Sequence, residues 1–385
     1  MGANQEISVA VTGANGFIGS NLVERLKTVP AVKVGKIGTS ELTGDEFRAL
    51  AQADFVVHLA GVNRPETKAE YRTGNVENTR KILSAISRSR ELHSVTKPLT
   101  LLYSSSTQAG NNTPYGQSKV EAEEILREFC EVNNFSLLTC RLPNVFGKWS
   151  RPNYNSAVAT FCYNISRDLP IEIREPKNIL RLLYIDDLID FFLSVIRGDN
   201  VAKVSQEVVS EFVNTYEIAL EDLIHKIRSF HLLRKTGSIP RTGEGFDRAL
   251  YATYISFLPQ KSFSANITAH VDERGLFSEI IRTEDSGQFS YFTSAPGVIR
   301  GNHYHNTKIE KFLVVEGHAV FRFRHILTGD AFFKRVEASD NLIVESIPGW
   351  SHQIENVGLS NLIVFLWANE VFDQVKPDTY YWPIS

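Results

Sequence analysis

The sequence predicts two fold classes in series: an α/β, doubly wound parallel sheet, followed by an all-β domain. Three observations carry this. The short apolar run Ile7 to Val11 leads into Thr12-Gly-Ala-Asn-Gly-Phe-Ile-Gly19, and apolar residues at helical spacing follow from Asn21 to Lys27. Strand-like apolar runs then alternate with amphipathic segments, the texture of a parallel sheet covered by helices. From Ser262 onward the runs become short, β-branched and aromatic, and recur at roughly ten-residue spacing, which predicts an antiparallel sandwich or barrel.

The first strand ends in a G-x-x-G-x-x-G turn. Gly13 permits the tight turn, Gly16 lets the backbone approach a pyrophosphate, and Gly19 allows close helix–strand packing. The helix that opens with Phe17 and Ile18 points its N-terminus at the phosphates. Val32 to Gly38 reads as the second strand. Where a carboxylate would hold an adenosine ribose diol, the chain has Gly38-Thr39-Ser40, with Lys36 just upstream. With no acid to repel a 2′-phosphate, this favours NADP over NAD. Asp54 to Ala60 is a buried strand ending in Gly61-Val-Asn63-Arg64-Pro65, and Asn75 to Ile86 has helical spacing.

Leu99 to Tyr103 is a further strand that delivers Ser104-Ser105-Ser106 at its C-terminal end, where ligands collect in open α/β sheets. A helix over Val120 to Val132 and a strand over Leu137 to Arg141 follow, running into Leu142-Pro-Asn144-Val-Phe-Gly147. Lys148 to Asn155, which holds Asn153, is a polar loop that either clasps a diphosphate and base or is simply solvated. Leu183-Tyr-Ile-Asp-Asp-Leu188 begins a helix at an acidic cap. Arg228 to Ala249 lacks clean periodicity, so a boundary is expected near 245–260, with Leu250 to Leu258 as a docking segment. Later strands are read at Phe289 to Phe292, Phe312 to Val315, Ala319 to Phe323, Asn341 to Val344 and Leu362 to Trp367.

At 385 residues the chain has room for two or three domains. A net charge of -3 gives no support for a nucleic-acid or anionic-membrane partner. Cys130, Cys140 and Cys162 are odd in number with no C-x-x-C spacing, as expected of reduced, buried thiols. No apolar run approaches the ~18 residues of a membrane span, and the first residues lack a signal-peptide pattern, so a cytoplasmic protein is expected.

Two constellations carry chemistry. Tyr115 and Lys119 stand four apart, so on a helix they share a face. The cation would then lower the phenol from its reference near ~10 toward working pH. With a hydroxyl from the serine run, such a trio can give a proton to a carbonyl oxygen while hydride reaches the carbon. In the β-rich part, His303 and His305 alternate onto one strand face, Glu310 follows across a short bend, and His352 comes from a distant strand. Three imidazoles and a carboxylate suit a first-row divalent ion with an exchangeable position.

The glycine turn, the Tyr115/Lys119 pair and Tyr184-Ile-Asp-Asp resemble the Rossmann-type extended short-chain dehydrogenases/reductases (SDRs). Gly297-x5-His303-x-His305-x4-Glu310-x6-Gly317 is similar to the first cupin motif, and Gly349-x2-His352-x3-Asn356 to most of the second. The second departs at Pro348, which adjoins the glycine instead of standing two before it. SDR followed by cupin, with HLAGVNRPE, RPNYNSAVATFCY and GNHYH along the way, resembles over essentially the whole chain the CapF family of bifunctional capsular-polysaccharide enzymes and their O-antigen counterparts.

The resemblance implies an extended SDR over residues 1–250 and a jelly-roll cupin over 255–385. It implies C3 epimerisation of a UDP-2-acetamido-2,6-dideoxy-4-hexulose in the cupin, then NADPH reduction of the C4 ketone, on the route to UDP-N-acetyl-L-fucosamine. Carried over, Tyr115 is the proton donor, Lys119 tunes it and holds the ribose, and Ser106, with Thr107 as alternative, polarises the ketone. NADP(H) would lie against Gly13, Gly16, Phe17, Ile18, Gly19, Thr39, Ala60, Tyr115 and Lys119, and the UDP-activated deoxy-amino sugar against Asn63, Arg64, Asn144, Asn153 and Asn155. Zinc is the implied metal, held by His303, His305, Glu310 and His352, in a homodimer. The cupin base stays open among His303, Lys308, Tyr291 and His325. Two rival readings stand beside this one: a single-activity UDP-4-keto-sugar reductase whose cupin only dimerises, and an NADP-sensing binding protein without turnover.

Overall fold

The computed structural model describes residues 6–38, 41–173, 175–198, 213–235, 238–266, 270–272, 275–277, 287–370 and 375–384. In chain order the elements begin β1 (Ile7–Thr12), α1 (Phe17–Leu26), β2 (Val32–Ile37), α2 (Gly44–Gln52), β3 (Phe55–His58), α3 (Ala69–Tyr71) with a wider turn over Arg72–Glu77, and α4 (Asn78–Leu92). Then come β4 (Thr100–Ser106), α5 (Pro114–Asn133), β5 (Ser136–Leu142), β6 (Asn144–Phe146), α6 (Ala157–Ile165), β7 (Ile179–Tyr184), α7 (Ile185–Ile196), β8 (Thr215–Ala219), α8 (Leu220–Lys235) and α9 (Gly245–Ser256). The remainder is strand: β9 (Ser264–Asn266), β10 (His270–Asp272), β11 (Gly275–Phe277), β12 (Gln288–Ser294), β13 (Ile299–Tyr304), β14 (Glu310–Glu316) and β15 (His318–His325). It ends with β16 (Ala331–Glu337), β17 (Leu342–Ser346), β18 (Trp350–Asn356), β19 (Leu362–Ala368) and β20 (Tyr380–Tyr381).

The chain divides into two compact units: Met1–Val145 with Leu180–Glu217, and Phe146–Ile179 with Ile218–Ser385. In the first, a parallel sheet runs β2-β1-β3-β4-β5. Its order reverses between β1 and β3, the switch point at which such sheets open a ligand crevice beyond their C-terminal ends. Ala10, Val56, Leu101 and Tyr103 on the strands pack with Leu50, Ile82, Ile86 and Leu126 on α2, α4 and α5. α1 packs with α7.

In the second unit two antiparallel sheets, β12-β19-β14-β17-β9 and β16-β15-β18-β13-β20, form the all-β architecture expected. Helices α6, α8 and α9 pack on one another in the same unit. Arg234 of α8 pairs with buried Glu345 of β17, which also pairs with Lys311 of β14, so the helix is anchored to the sheet.

Several local expectations shift. The serine run lies inside β4 instead of following it. The helix expected over Val120 to Val132 starts at Pro114, because Thr113 caps it by accepting from Gly116 N at 3.0 Å and proline favours the first position. α7 has no acidic side-chain cap: Tyr184 is the N-cap residue and Asp186 and Asp187 lie in the first turn, where the helix dipole favours them. Around Arg228 to Ala249 the chain is largely α8 and the start of α9. Nearly every residue of α9 from Ala249 to Ile255 is buried, so no amphipathic period marks it.

Candidate functional site

Two clusters of chemically capable residues emerge, one in each unit. In the first, Gly13 has φ +66, and a Cβ there would lie 2.7 Å from Ala60 N; at Gly19 a Cβ would lie 2.1 Å from Gly13 O. Only glycines let the β1 turn nest against the end of β3 and against α1. Gly16 caps α1 with no side chain, so no side-chain acceptor competes for the N–H groups of the first turn, which begins with Phe17 and Ile18.

Beneath this turn His58 is buried and hydrogen-bonds Thr12 Oγ1 at 2.7 Å and Thr79 Oγ1 at 2.9 Å. The Thr79 hydroxyl donates to Asn75 O, so it accepts from His58 Nε2–H, which leaves Nδ1 to accept from Thr12. Thr12 Oγ1 in turn accepts the N–H groups of Leu59 and Ala60. Burial lowers the imidazole to about 3, so it stays neutral and the network stays in this sense.

Successive side chains of β4 diverge. Ser105 donates to buried Glu123, which Arg141 holds through two bonds of 3.0 and 2.7 Å. Ser106 stands near enough to the Tyr115 phenol to lower its pKa, and its Oγ accepts from Gln108 N at 3.1 Å. The geometry thus separates Ser106 from its neighbour. Burial raises the Tyr115 phenol above its ordinary value, against the lowering effect of Ser106. This corrects the expectation that Lys119 lowers it. The buried Lys119 Nζ donates instead to Ser104 O at 3.0 Å and Tyr103 OH at 3.3 Å, because the continued strand brings that carbonyl beside it. Burial brings the ammonium down to about 8, with Glu123 opposing.

Thr39 lies outside the described residues. At the end of β2 a carboxylate does arrive, which sequence reasoning missed: Glu46 accepts from Gly38 N at 2.6 Å and from Thr43 N at 2.7 Å. Its Oε2 completes the capping box of α2, and its Oε1 is the oxygen that holds Gly38 N. Asn63, Arg64 and Asn144 are exposed in the first unit, and Asn153 and Asn155 are exposed in the second.

In the second unit His303, His305, Glu310 and His352 bring one ligand atom each to within 4.8 Å of one another. His303 and His352 face each other across β13 and β18, and Glu310 opens β14 in the other sheet. His303 and His305, two residues apart, reach the cluster together as expected. β13 is broken by a bulge at Gly301-Asn302, both with positive φ, and His305 lies just past its end.

His305 Nδ1 bonds the carbonyl of Asp378, an acceptor only, so that nitrogen carries the proton. Its other nitrogen, Nε2, lies 3.0 Å from Glu310 Oε2, and His352 Nε2 lies 3.2 Å from the same oxygen. A neutral His305 would face this carboxylate lone pair to lone pair, whereas His352, whose Nδ1 can accept from Ser346 Oγ, can donate to it. Positive charge is required between His305 and Glu310, as a proton or a cation, and the donor set fits a divalent ion. Burial opposes charge on Glu310, yet His305 and His352 hold its carboxyl well below the usual range. Burial lowers His303 to about 3, with His352 and His305 adding to the effect.

Of the other base candidates, Lys308 is buried with Nζ 3.6 Å from Glu310 Oε1. Tyr291 is 66% exposed against Phe365, and His325 accepts from Leu327 N and Thr328 N beside Trp350. Neither stands at the cluster. Asp378, Ser346 (2.8 Å from His352 Nδ1), Glu123 and His58 went unread in the sequence, since each acts through a partner far along the chain.

Comparison with known proteins agrees with this architecture. Residues 9–209 match the model of the NAD dependent epimerase/dehydratase family, and residues 270–380 that of the polysaccharide biosynthesis C-terminal domain. The chain is 46% identical over 375 residues to the UDP-2-acetamido-2,6-beta-L-arabino-hexul-4-ose reductase of Pseudomonas aeruginosa, covering 97% of this chain and 98% of that protein. A 55-residue stretch is 38% identical to the spore coat polysaccharide biosynthesis protein SpsL of Bacillus subtilis, over 13% of this chain and 36% of that one. The crystal structure of the capsular polysaccharide assembling protein CapF from Staphylococcus aureus aligns with a TM-score of 0.64 at 38% identity, covering 98% of this chain and all of that one. The chain therefore belongs to the NAD dependent epimerase/dehydratase family, in the CapF-like form that joins such a domain to a polysaccharide biosynthesis C-terminal domain.

Proposed function

We propose that this protein is a bifunctional UDP-sugar enzyme. Its cupin portion, residues 255–385, epimerises C3 of a UDP-2-acetamido-2,6-dideoxy-4-hexulose. Its SDR portion, residues 1–250, reduces the C4 ketone with NADPH to give UDP-2-acetamido-2,6-dideoxy-L-talose, a precursor of UDP-N-acetyl-L-fucosamine. The observation that carries the reading is the Ser106–Tyr115 pair beside Lys119 at the C-terminal end of the parallel sheet. It is supported by full-length likeness to a protein named as a reductase of a UDP-acetamido hexul-4-ose.

Bound NADPH supplies the hydride, and a bound divalent ion, expected to be zinc, supplies Lewis acidity beside the C4 carbonyl. The chain does the rest. Tyr115 keeps its proton at neutral pH and gives it to the C4 oxygen, while the Ser106 hydroxyl turns from the phenol to that oxygen. Lys119 exchanges a protein partner for the nucleotide ribose. Gly13, Gly16, Phe17, Ile18, Gly19, Thr39 and Ala60 receive the dinucleotide, and Glu46, committed to its helix cap, leaves the ribose 2′ position to a phosphate. Asn63, Arg64, Asn144, Asn153 and Asn155 hold the UDP-sugar. His305, Glu310 and His352 would hold the ion, with His303 as the fourth ligand if the C3 proton passes to Lys308, or as the base in place of ligating, since one lone pair cannot do both. The enzyme works in the cytoplasm as a homodimer: β12 ends its sheet and exposes Phe289 and Tyr291, a surface a second copy can cover.

The test is incubation with a UDP-4-keto-6-deoxy-N-acetylhexosamine and NADPH in deuterated water. The reading predicts nicotinamide oxidation together with deuterium at C3. Oxidation without C3 deuterium would leave a single-activity reductase, and nucleotide binding without oxidation a sensor.

A further inference from the structure

The loop that carries His305 toward Glu310 is organised by a residue some seventy positions downstream. The Asp378 carboxylate accepts from Asn306 N at 3.0 Å, Thr307 N at 2.6 Å, Thr307 Oγ1 at 2.9 Å and Lys308 N at 2.8 Å. Three successive N–H groups converging on one carboxylate fix the backbone of that loop. The carbonyl of the same residue accepts the proton of His305 Nδ1. The segment continues as β20, which pairs with β13 so that Tyr381 stands opposite His303. Trp382 N donates to Asn302 O at 2.7 Å, inside the bulge, and Trp382 O accepts from Ser351 Oγ, next to His352.

The strap over residues 375–384 thus touches the neighbourhood of His303, His305 and His352. We propose that it is a working part of the metal centre, with Asp378 as its positioning residue: it fixes the ring orientation and tautomer of His305 and the shape of the 305–310 loop. This rests on reading the four residues as a metal site. With Nδ1 protonated against Asp378 O, Nε2 keeps the bare lone pair that ligation needs. Without the strap, His305 can rotate or exchange tautomers, and the loop loses four bonds at once.

The test uses the full-length chain, stripped of metal, as wild type, Asp378→Ala, Asp378→Asn and Thr307→Val. Histidine nitrogen–proton correlation spectra of labelled protein report the His305 tautomer, and Zn²⁺ competition against a chromophoric chelator reports affinity. The expected result is a fixed Nδ1–H tautomer in wild type that averages in both Asp378 variants, because the main-chain carbonyl they keep is no longer held against His305 by the carboxylate's four bonds. Zn²⁺ binding should be weakened by about 10- to 100-fold. Thr307→Val, which removes one of the four donors, should weaken it by less, and it carries the test should Asp378→Ala not fold. NADPH binding should not change in any variant. Wild-type tautomer and wild-type Zn²⁺ affinity in Asp378→Asn and Thr307→Val would overturn the proposal. A wild type that binds no Zn²⁺, yet whose tautomer still follows residue 378, would sink the metal reading and leave the positioning role standing.

Discussion

Tyr115 holds its proton because burial, with Tyr71 beside it, outweighs the lowering effect of Ser106. Tyr115→Phe should therefore lower the rate of ketone reduction by about 10²- to 10⁴-fold, with a far smaller change in NADPH affinity in a fluorescence titration. His58 supplies a pH prediction. Its folded pKa, about 3, lies below the ordinary 6.5, so between those values the unfolded chain binds a proton that the folded chain does not. Stability is lost as pH falls through that window. Between pH 6.5 and 4.5 the wild type should lose about 2 to 3 kcal/mol that His58→Gln does not, read from urea midpoints at each pH. Tyr115, Lys119, His303, His305, Glu310 and His352 were legible because each motif is short and its spacing maps onto one turn or one bend. Glu123, Asp378 and Ser346 were not, since a buried carboxylate or hydroxyl is recognised only by what the fold brings to it.

At the scale of elements, the β1 turn and α1 are fitted through Gly19, where a methyl group would meet Gly13 O at 2.1 Å. Gly19→Ala should abolish NADPH binding in calorimetry while the antiparallel sheets stay folded by circular dichroism. In the second unit, Glu345 is buried between Arg234 and Lys311. Glu345→Gln should cost about 3 to 5 kcal/mol of unfolding free energy by denaturant titration, because two partly buried cations lose their counter-charge. The sequence pattern located β1 to β5 and much of β12, β14, β15, β17 and β19, whose apolar runs are continuous or alternate plainly. β13 and β18, which carry two of the clustered histidines, were read as strands from the histidines alone, without bounds. The first is interrupted by Gly301-Asn302 in positive-φ conformations. The second, Trp-Ser-His-Gln-Ile-Glu-Asn, buries its polar residues along with its apolar ones.

For the whole molecule, the change in texture after Ser262 announced an α/β part and an all-β part, because the two sheet types impose different hydrophobic periods. That Phe146–Ile179 and the helices after Ile218 cluster with the antiparallel sheets had no local mark, since a helix packed on a sheet reads like any other helix. The two clusters nonetheless use separate residue sets, and the activities proposed for them should separate by mutation. The most direct measurement takes Glu310→Gln through the reaction with UDP-4-keto-6-deoxy-N-acetylhexosamine and NADPH in deuterated water, following C3 deuterium by mass spectrometry and the nicotinamide by absorbance. The account predicts that C3 exchange falls to background while NADPH is still oxidised when the C3-epimerised ketone is supplied. Undiminished C3 exchange in Glu310→Gln would contradict it.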